Sequence, residues 1–193
     1  MPYSPLTATD SFDSKVYPLD FETIHKQGIP HRAVQIEISN DLGLFFAWQR
    51  TDGRLEILGG HVDWLEPENR SEEYEEAAIR EIMEELNLTE NWLKDVESIS
   101  LMVKSHLSPI VKFINQLPSS HGNNNEWVTA YKLIWQTEWS DPCKPEWKLS
   151  NEGTAPVWLA FEEIQSFSIQ NPRKINAALR HFFQRRGVLI PLS

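Results

Sequence analysis

The chain has 193 residues, about one domain of ordinary size, and 40% of them are hydrophobic, so a packed core is expected and a disordered or fibrous chain is excluded. Lys+Arg 18 against Asp+Glu 28 leaves a net charge of −10, which argues against nucleic acid or an anionic membrane as the main partner. A single cysteine, Cys143, excludes an intrachain disulfide framework and a cysteine-rich zinc site, and fits a reducing compartment.

No apolar run approaches the ~20 residues of a membrane span, and the polar opening MPYSPLTATDSFDS lacks a signal-peptide pattern. The expectation is a soluble, acidic, cytoplasmic single domain.

Residues 1 to 30 carry Pro2, Pro5, Pro18 and Pro30 and read as an irregular N-terminal arm, with a short helix or strand near Phe21–Lys26. Ala33–Ser39 alternates, with Val34, Ile36 and Ile38 opposite Gln35 and Glu37, which predicts a half-buried strand. Turn residues at Asn40–Gly43 and a second apolar run over Leu44–Gln49 predict a hairpin. A further strand over Leu55–Leu58 stops at Gly59-Gly60.

Ser71–Leu88 is the strongest helix in the chain, with Asn69 and Ser71 as candidate N-caps and Asn69-x-x-Glu72 shaped like a capping box. Ser98–Ser105 and Trp127–Gln136 alternate as strands do, with a polar loop over Leu117–Asn125 between them. Ser140–Gly153 reads as a second long loop. Val157–Phe161 is a short strand leading into a helical turn at Glu162–Phe167. Asn171 caps a last helix over 172–186, with Pro172 at its first position and Gly187 just past its end. The class is mixed α/β or α+β, with an arm over 1–30 and one domain over 31–187.

Acid is concentrated in one place. Between Gly60 and Glu90 lie 11 of the 28 acidic residues, against two basic ones, Arg70 and Arg80. On a helix turning about 100° per residue, Glu84 and Glu85 fall within about 60° of Glu81 on either side. Ile79, Ile82, Met83 and Leu86 fall on the other side and face the core. Two like charges 4 Å apart repel by roughly 4 kcal/mol at an effective dielectric near 20, and Arg80 alone does not neutralise three. Either this is a solvated helix face or it is a site for a hard divalent cation.

The paired Gly59-Gly60 at a strand end and the run Arg80-Glu81-Ile82-Met83-Glu84-Glu85 resemble the Nudix box, G-x5-E-x7-R-E-U-x-E-E-x-G-U, where U is aliphatic. The chain is thus similar to Nudix hydrolases over roughly residues 30–165. Two departures stand out. Six extra residues lie between Gly60 and Arg80, within Asp63–Glu73, so the first Glu of the box is either Glu66 or Glu72. Asn87 stands where the family has Gly, at a helix end that calls for a left-handed conformation, which Asn tolerates.

The resemblance implies an α+β Nudix fold, a mixed β-sheet sandwiched between helices, and metal-dependent hydrolysis of a diphosphate in a nucleoside derivative or related small molecule. It implies Mg²⁺ or Mn²⁺ held by the Gly60 carbonyl, Glu81, Glu84 and Glu85, with Glu152 as a fourth carboxylate and Glu126 as its competitor. Glu81 is a ligand or the proton acceptor, Glu84 is catalytic through the metal, and Arg80 orients the cluster. The substrate is a small-molecule diphosphate, with no nucleic acid or membrane partner; a homodimer is common in the family, but the sequence does not choose an oligomeric state.

The segment His25–Ala33 is similar to the isopentenyl-diphosphate-isomerase-like branch of the family. An isomerase is therefore one alternative, set back by the position of Cys143 far downstream of the box. A non-catalytic nucleotide-binding regulator is another, set back by the complete hexad. His31 and Arg32 are either a core-edge histidine and a phosphate-facing arginine or solvent-facing strand-start residues. Trp48, Trp64, Trp127 and Trp135 have the rings to stack a base, yet sheet tryptophans are more often core, and none is assigned.

Overall fold

The computed structural model describes residues 5–50, 52–92, 94–119, 122–144, 146–147 and 154–188. In chain order it contains β1 (Leu6–Thr9), β2 (Val16–Leu19), α1 (Phe21–Gln27), β3 (His31–Asn40), β4 (Phe45–Gln49), β5 (Leu55–Glu56) and β6 (Leu58–His61). There follow β7 (Trp64–Leu65), β8 (Arg70–Ser71), α2 (Tyr74–Glu85), α3 (Leu88–Trp92), α4 (Val96–His106), β9 (Leu107–Ser119) and β10 (Gly122–Trp135). The chain closes with β11 (Thr154–Leu159), α5 (Phe161–Gln170), a 3₁₀ turn (Pro172–Lys174) and α6 (Ala177–Gln184). The class is α+β, as expected. The chain groups into two compact units, and β3, α2 and β10 each contribute to both.

The first unit comprises Met1–Gln35, Gly59–Ala78 and Pro109–Tyr131. From Leu6 on it forms β1, β2 and α1, unlike the irregular arm read from its prolines, and α1 is the short helix or strand expected near Phe21–Lys26. β1 and β2 pair antiparallel from Leu6↔Leu19 to Thr9↔Val16, and Ala8 pairs with His31 of β3. Pro18 sits within β2, a position that costs a ladder bond only on the side facing away from β1. Asp20 caps α1 by accepting from the Thr23 N–H at 2.8 Å, and Gly28 ends it in the left-handed region at φ 65°. Ile24 is fully buried there with Leu6 and Ala8.

β9 pairs with β10, and Leu117–Ser119 and Gly122–Asn125 of the polar segment expected as a loop belong to these two strands. Gly59 is fixed by packing: a Cβ there would lie 2.6 Å from the Val34 carbonyl oxygen of β3.

The second unit comprises Ile36–Leu58, Ile79–Ser108 and Lys132–Ser193. β4 pairs antiparallel with β11 (Phe46↔Trp158) and with β5 (Trp48↔Glu56), and meets β3 at Ser39↔Phe45. Its core joins Ala47, Leu55 and Ile57 to Ile164, Ile175, Leu179, Phe182 and Phe183 of the α5–α6 region.

Three sequence expectations are corrected here. Ser98–Ser105 is not a strand but the middle of α4. Asp95 accepts from the Ser98 N–H at 2.8 Å and starts a helix whose buried positions, Ile99 and Val103, are four apart. β3 is not half-buried: Gln35 and Glu37, on its polar side, are as buried as Ile36 and Ile38. Glu37 is satisfied there by two arginines just past α6, Arg185 and Arg186, the latter at 2.7 Å with its guanidinium 3.7 Å over the Phe182 ring. The last helix begins later than Asn171: Pro172 opens the 3₁₀ turn, and Asn176 caps α6 through the Leu179 N–H. Gly187 follows at φ 72°, as its position past the helix implies.

The crowding at Gly59 gives a direct test. Gly59→Ala should destabilise the protein by about 1–3 kcal/mol, the usual cost of overpacking a rigid backbone contact. The urea midpoint measures it, and an unchanged midpoint would mean that β6 does not lie against β3 as described.

Candidate active site

The Asp63–Glu73 insertion is an ordered hairpin. Trp64 pairs with Ser71 and Leu65 with Arg70. Asn69 sits in its turn at φ 49°, with its N–H donating to the Glu66 carbonyl at 3.2 Å, so it is a turn residue and not a helix cap. Ser71 is buried in β8 and is not a cap either. The helix starts instead at Tyr74, where the Glu76 carboxylate reaches back to accept the Glu73 N–H at 2.8 Å. Arg70 grips the same Glu76 with two bonds of 2.7 and 3.0 Å, which ties the hairpin to the first turn of α2.

The two candidates for the first box glutamate part company here. Glu66 is exposed in the hairpin turn, whereas Glu72 is 5% exposed. Glu72 accepts from the Asp63 N–H at 3.2 Å, and its own N–H donates to the Asp63 carbonyl at 3.0 Å. Glu72 therefore clasps the two ends of the insertion.

Further along α2, Arg80 Nη1 donates to Glu81 Oε1 at 2.7 Å and to Glu84 Oε2 at 3.3 Å. Glu81 is mostly sheltered, with 13% of its side chain exposed, while Glu84 is 63% exposed. Glu85 is buried among the same turns. Opposite them Ile82 and Leu86 are fully buried, as the periodicity predicts. Asn87 then takes φ 48°, the left-handed conformation expected where the box has Gly, and Trp147 Nε1 donates to the Leu86 carbonyl at 3.0 Å. Gly60 lies in β6, next to the constrained Gly59. Glu152 falls outside the described residues.

Other candidates resolve differently. Arg32 is bonded to Asp13 at 2.6 Å and lies 5.0 Å from the Tyr74 ring centre, so it is held in a local network rather than turned to solvent. Burial opposes ionisation of Asp13, but Arg32, Lys112 and the Tyr74 hydroxyl outweigh it and hold the carboxyl below its usual range. Tyr131 is pushed up to about 12 by burial and by Glu75 and Glu73, a measure of the negative field at the start of α2. Cys143 has its thiol pushed up to about 12 by burial and by Asp141, which leaves it a poor nucleophile at neutral pH. Trp48 and Trp135 are core residues.

One constellation was not assigned from sequence. In the first unit His25, His31 and His61 bring a ring nitrogen each to within 4.8 Å of one another. Glu126 Oε1 stands 3.7 Å from both His31 Nε2 and His61 Nε2, and its Oε2 accepts from Asn115 at 2.7 Å. Burial works against ionisation of Glu126, but His31, His61 and Asn115 overcome it and hold its carboxyl at about 2. His31 is thus a buried member of a polar cluster at the start of β3, which fits the core-edge reading and not the solvent-facing one. The only sequence signal was three of the six histidines falling at element ends within 37 positions, which is weak on its own.

The strand-end glycines, the clasp at Glu72 and the Arg80-centred carboxylate turn agree with a comparison against protein families, in which the NUDIX domain matches residues 29–185. The chain belongs to the NUDIX family. It is accordingly a hydrolase acting on acid anhydride bonds, in a family whose enzymes act on small diphosphate molecules and use divalent metal ions.

Solved structures with a similar fold include DR0079 from Deinococcus radiodurans, 20% identical, covering 84% of this chain and 88% of that one with a TM-score of 0.53. A MutT protein from Methanosarcina mazei Go1 is also 20% identical and covers 81% of this chain and 91% of its own, with a TM-score of 0.51. No curated protein sequence matches the chain. No helix among the described residues is long and apolar enough to cross a membrane.

Because Glu84 is open to water, its pairing with Arg80 contributes little to folding. Arg80→Leu should move the urea midpoint by no more than the equivalent of about 1 kcal/mol. A loss of several times that would make Arg80 a folding residue instead of one that sets carboxylate positions.

Proposed function

We propose that the protein is a Mg²⁺- or Mn²⁺-dependent hydrolase that cleaves the diphosphate linkage of a nucleoside diphosphate derivative or a related small diphosphate. The observation that carries this reading is the α2 turn on which Arg80 bonds both Glu81 and Glu84 while Glu85 sits buried beside them. The donor set suits the metal: carboxylate and carbonyl oxygens are the hard ligands that Mg²⁺ and Mn²⁺ prefer. The residues that would hold it are Glu81, Glu84, Glu85, the Gly60 carbonyl and Glu152. When bound, the metal neutralises the diphosphate, polarises phosphorus and lowers the pKa of a coordinated water.

The chain's own groups supply the rest. Glu81, sheltered and held by Arg80, either completes the ligand set or takes the proton of the attacking water, roles that coupled carboxylates do not separate sharply. Glu84, with most of its side chain open to solvent, is accessible to a bound metal and its substrate. Glu72 takes the part of the first box glutamate, because its hydrogen bonds to Asp63 fix the strand end carrying Gly60 against the entry to α2.

The His25–Ala33 segment supports a place in the isopentenyl-diphosphate-isomerase-like branch. Hydrolysis is the reading within it, since the one cysteine, Cys143, lies far downstream of the box and not in the region before it. The complete hexad likewise favours turnover over a purely regulatory module.

A panel of nucleotide sugars, dinucleotides, coenzyme derivatives and isoprenoid diphosphates, assayed with Mg²⁺ or Mn²⁺ for released phosphate or monophosphate, tests this. At least one member should turn over, and chelation should stop it. Glu84→Gln should lower kcat by at least about a hundredfold, the upper end of what losing even a group behind a metal ligand costs, with an unchanged circular dichroism spectrum. Undiminished release by that variant, or binding without turnover across the panel, would sink the assignment.

A further inference from the structure

Half of the eight tryptophans meet at one place in the second unit, and the carboxylate chemistry uses none of them. Ring centres lie 5.3 Å apart between Trp92 and Trp139, 5.6 Å between Trp92 and Trp135, and 6.4 Å between Trp92 and Trp147. Trp135 is buried. Trp92 and Trp139 are half-buried and line a cavity of about 200 Å³ between α3, α4 and the turn after β10. We propose that this cavity binds one planar heteroaromatic ring, the base of a nucleoside, carried either by the substrate or by a separate nucleoside. As a substrate subsite it rests on the hydrolase reading above; the binding of the ring does not.

Indoles packed for stability alone close over themselves, because an unfilled void forfeits contacts on one side. This cluster stays open toward the cavity. Trp92 and Trp139 meet at 63° and so form a corner. A flat ligand stacked on one indole presents its edge to the other, and these are the two arrangements aromatic rings prefer. Met102 lines the same space with a soft, adaptable thioether.

Size and polarity select the ligand. The volume is below the roughly 300–1,000 Å³ of pockets that take a drug-sized molecule, so one ring system fits and a whole nucleotide does not. Lys94 and Glu138 bring one charge of each sign to the lining, and Asn91 and Ser140 add an amide and a hydroxyl. That mixture of donors and acceptors matches the ring nitrogens and exocyclic groups of a base. A hydrocarbon chain would leave these groups unanswered. A quaternary ammonium, which tryptophans otherwise suit, would meet the Lys94 cation.

The cavity is also tied to the carboxylate helix. Asn91 Nδ2 donates to the carbonyls of Leu86 and Asn87, each at 3.0 Å, and Trp147 Nε1 donates to the Leu86 carbonyl at 3.0 Å. Leu86 directly follows Glu84-Glu85, so the wall of the cavity is hydrogen-bonded to the end of the acidic turn. This placement favours the substrate's own base over that of a separate nucleoside.

Equilibrium dialysis of the full chain against labelled adenosine, guanosine, cytidine and uridine, without metal, tests the site apart from turnover. At least one should bind saturably, at one equivalent. Trp139→Leu should weaken that binding by roughly five- to 150-fold, the range that one lost stacking partner costs. Because Trp139→Leu also removes packing, Ser140→Trp is the second variant: the residue is exposed, and a new indole fills the cavity without removing a ring. It should weaken binding at least about tenfold with an unchanged circular dichroism spectrum. Glu84→Gln should bind the nucleoside as the parent does, so a failed hydrolase reading and a failed ring site are told apart.

Turnover then separates the two sources of the ring. For a substrate subsite, the free nucleoside should compete with a nucleoside diphosphate derivative, and Ser140→Trp should raise the KM for that derivative at least about tenfold relative to an isoprenoid diphosphate. For a separate nucleoside, kcat should change without competition; either result supports the site. No saturable binding of any of the four nucleosides, or binding indifferent to both Trp139→Leu and Ser140→Trp, would overturn the proposal and leave the four tryptophans as packing.

Discussion

Like charge held at close quarters is the constraint around which α2 is built. Three carboxylates within one and a half turns repel each other, and the Arg80 guanidinium holds two of them. The buried apolar positions Ile82 and Leu86 anchor the opposite side of the helix, so the acidic turn is maintained by packing rather than by its own interactions. The helix ends are fixed independently, by the Glu76 reach-back at the start and the left-handed Asn87 at the finish. A turn fixed at both ends in this way does not relax its like charges by fraying.

Much of this was legible in the residues. The strand at β3, the turn chemistry before β4, the apolar face of α2 and the left-handed need at Asn87 all follow from local rules, and the structure agrees with each, though both faces of β3 are buried. What misled was ambiguity between periods. Ser98–Ser105 alternates well enough for a strand, but Ile99 and Val103 also satisfy a four-residue spacing, and the Asp95 cap tips the balance to α4. Asn69 had the composition of a cap but lay in the turn of a hairpin that only pairing across the insertion reveals.

Other features depend on contacts between distant segments and leave no local trace. Glu37 reads as a solvent-facing strand residue until Arg185 and Arg186 are brought to it. Glu72 and Glu66 are equivalent by spacing and are separated only by which one finds a backbone N–H to accept. The histidine cluster is the extreme case: His25, His31, His61 and Glu126 sit on four elements, and nothing in the order of residues says that they meet. Box-type sites are written in one stretch of helix, whereas assembled sites are written in topology.

The pairing of Glu37 with Arg185 and Arg186 ties the tail of the second unit to its central strand. Both cations follow the last turn of α6, at positions that read from the sequence as the end of the last helix. Trimming the chain just before them would strip the counter-ions from an anion sealed inside the fold. The cut would be distant from the carboxylate helix along the chain, yet it would be paid in folding free energy at the middle of a sheet.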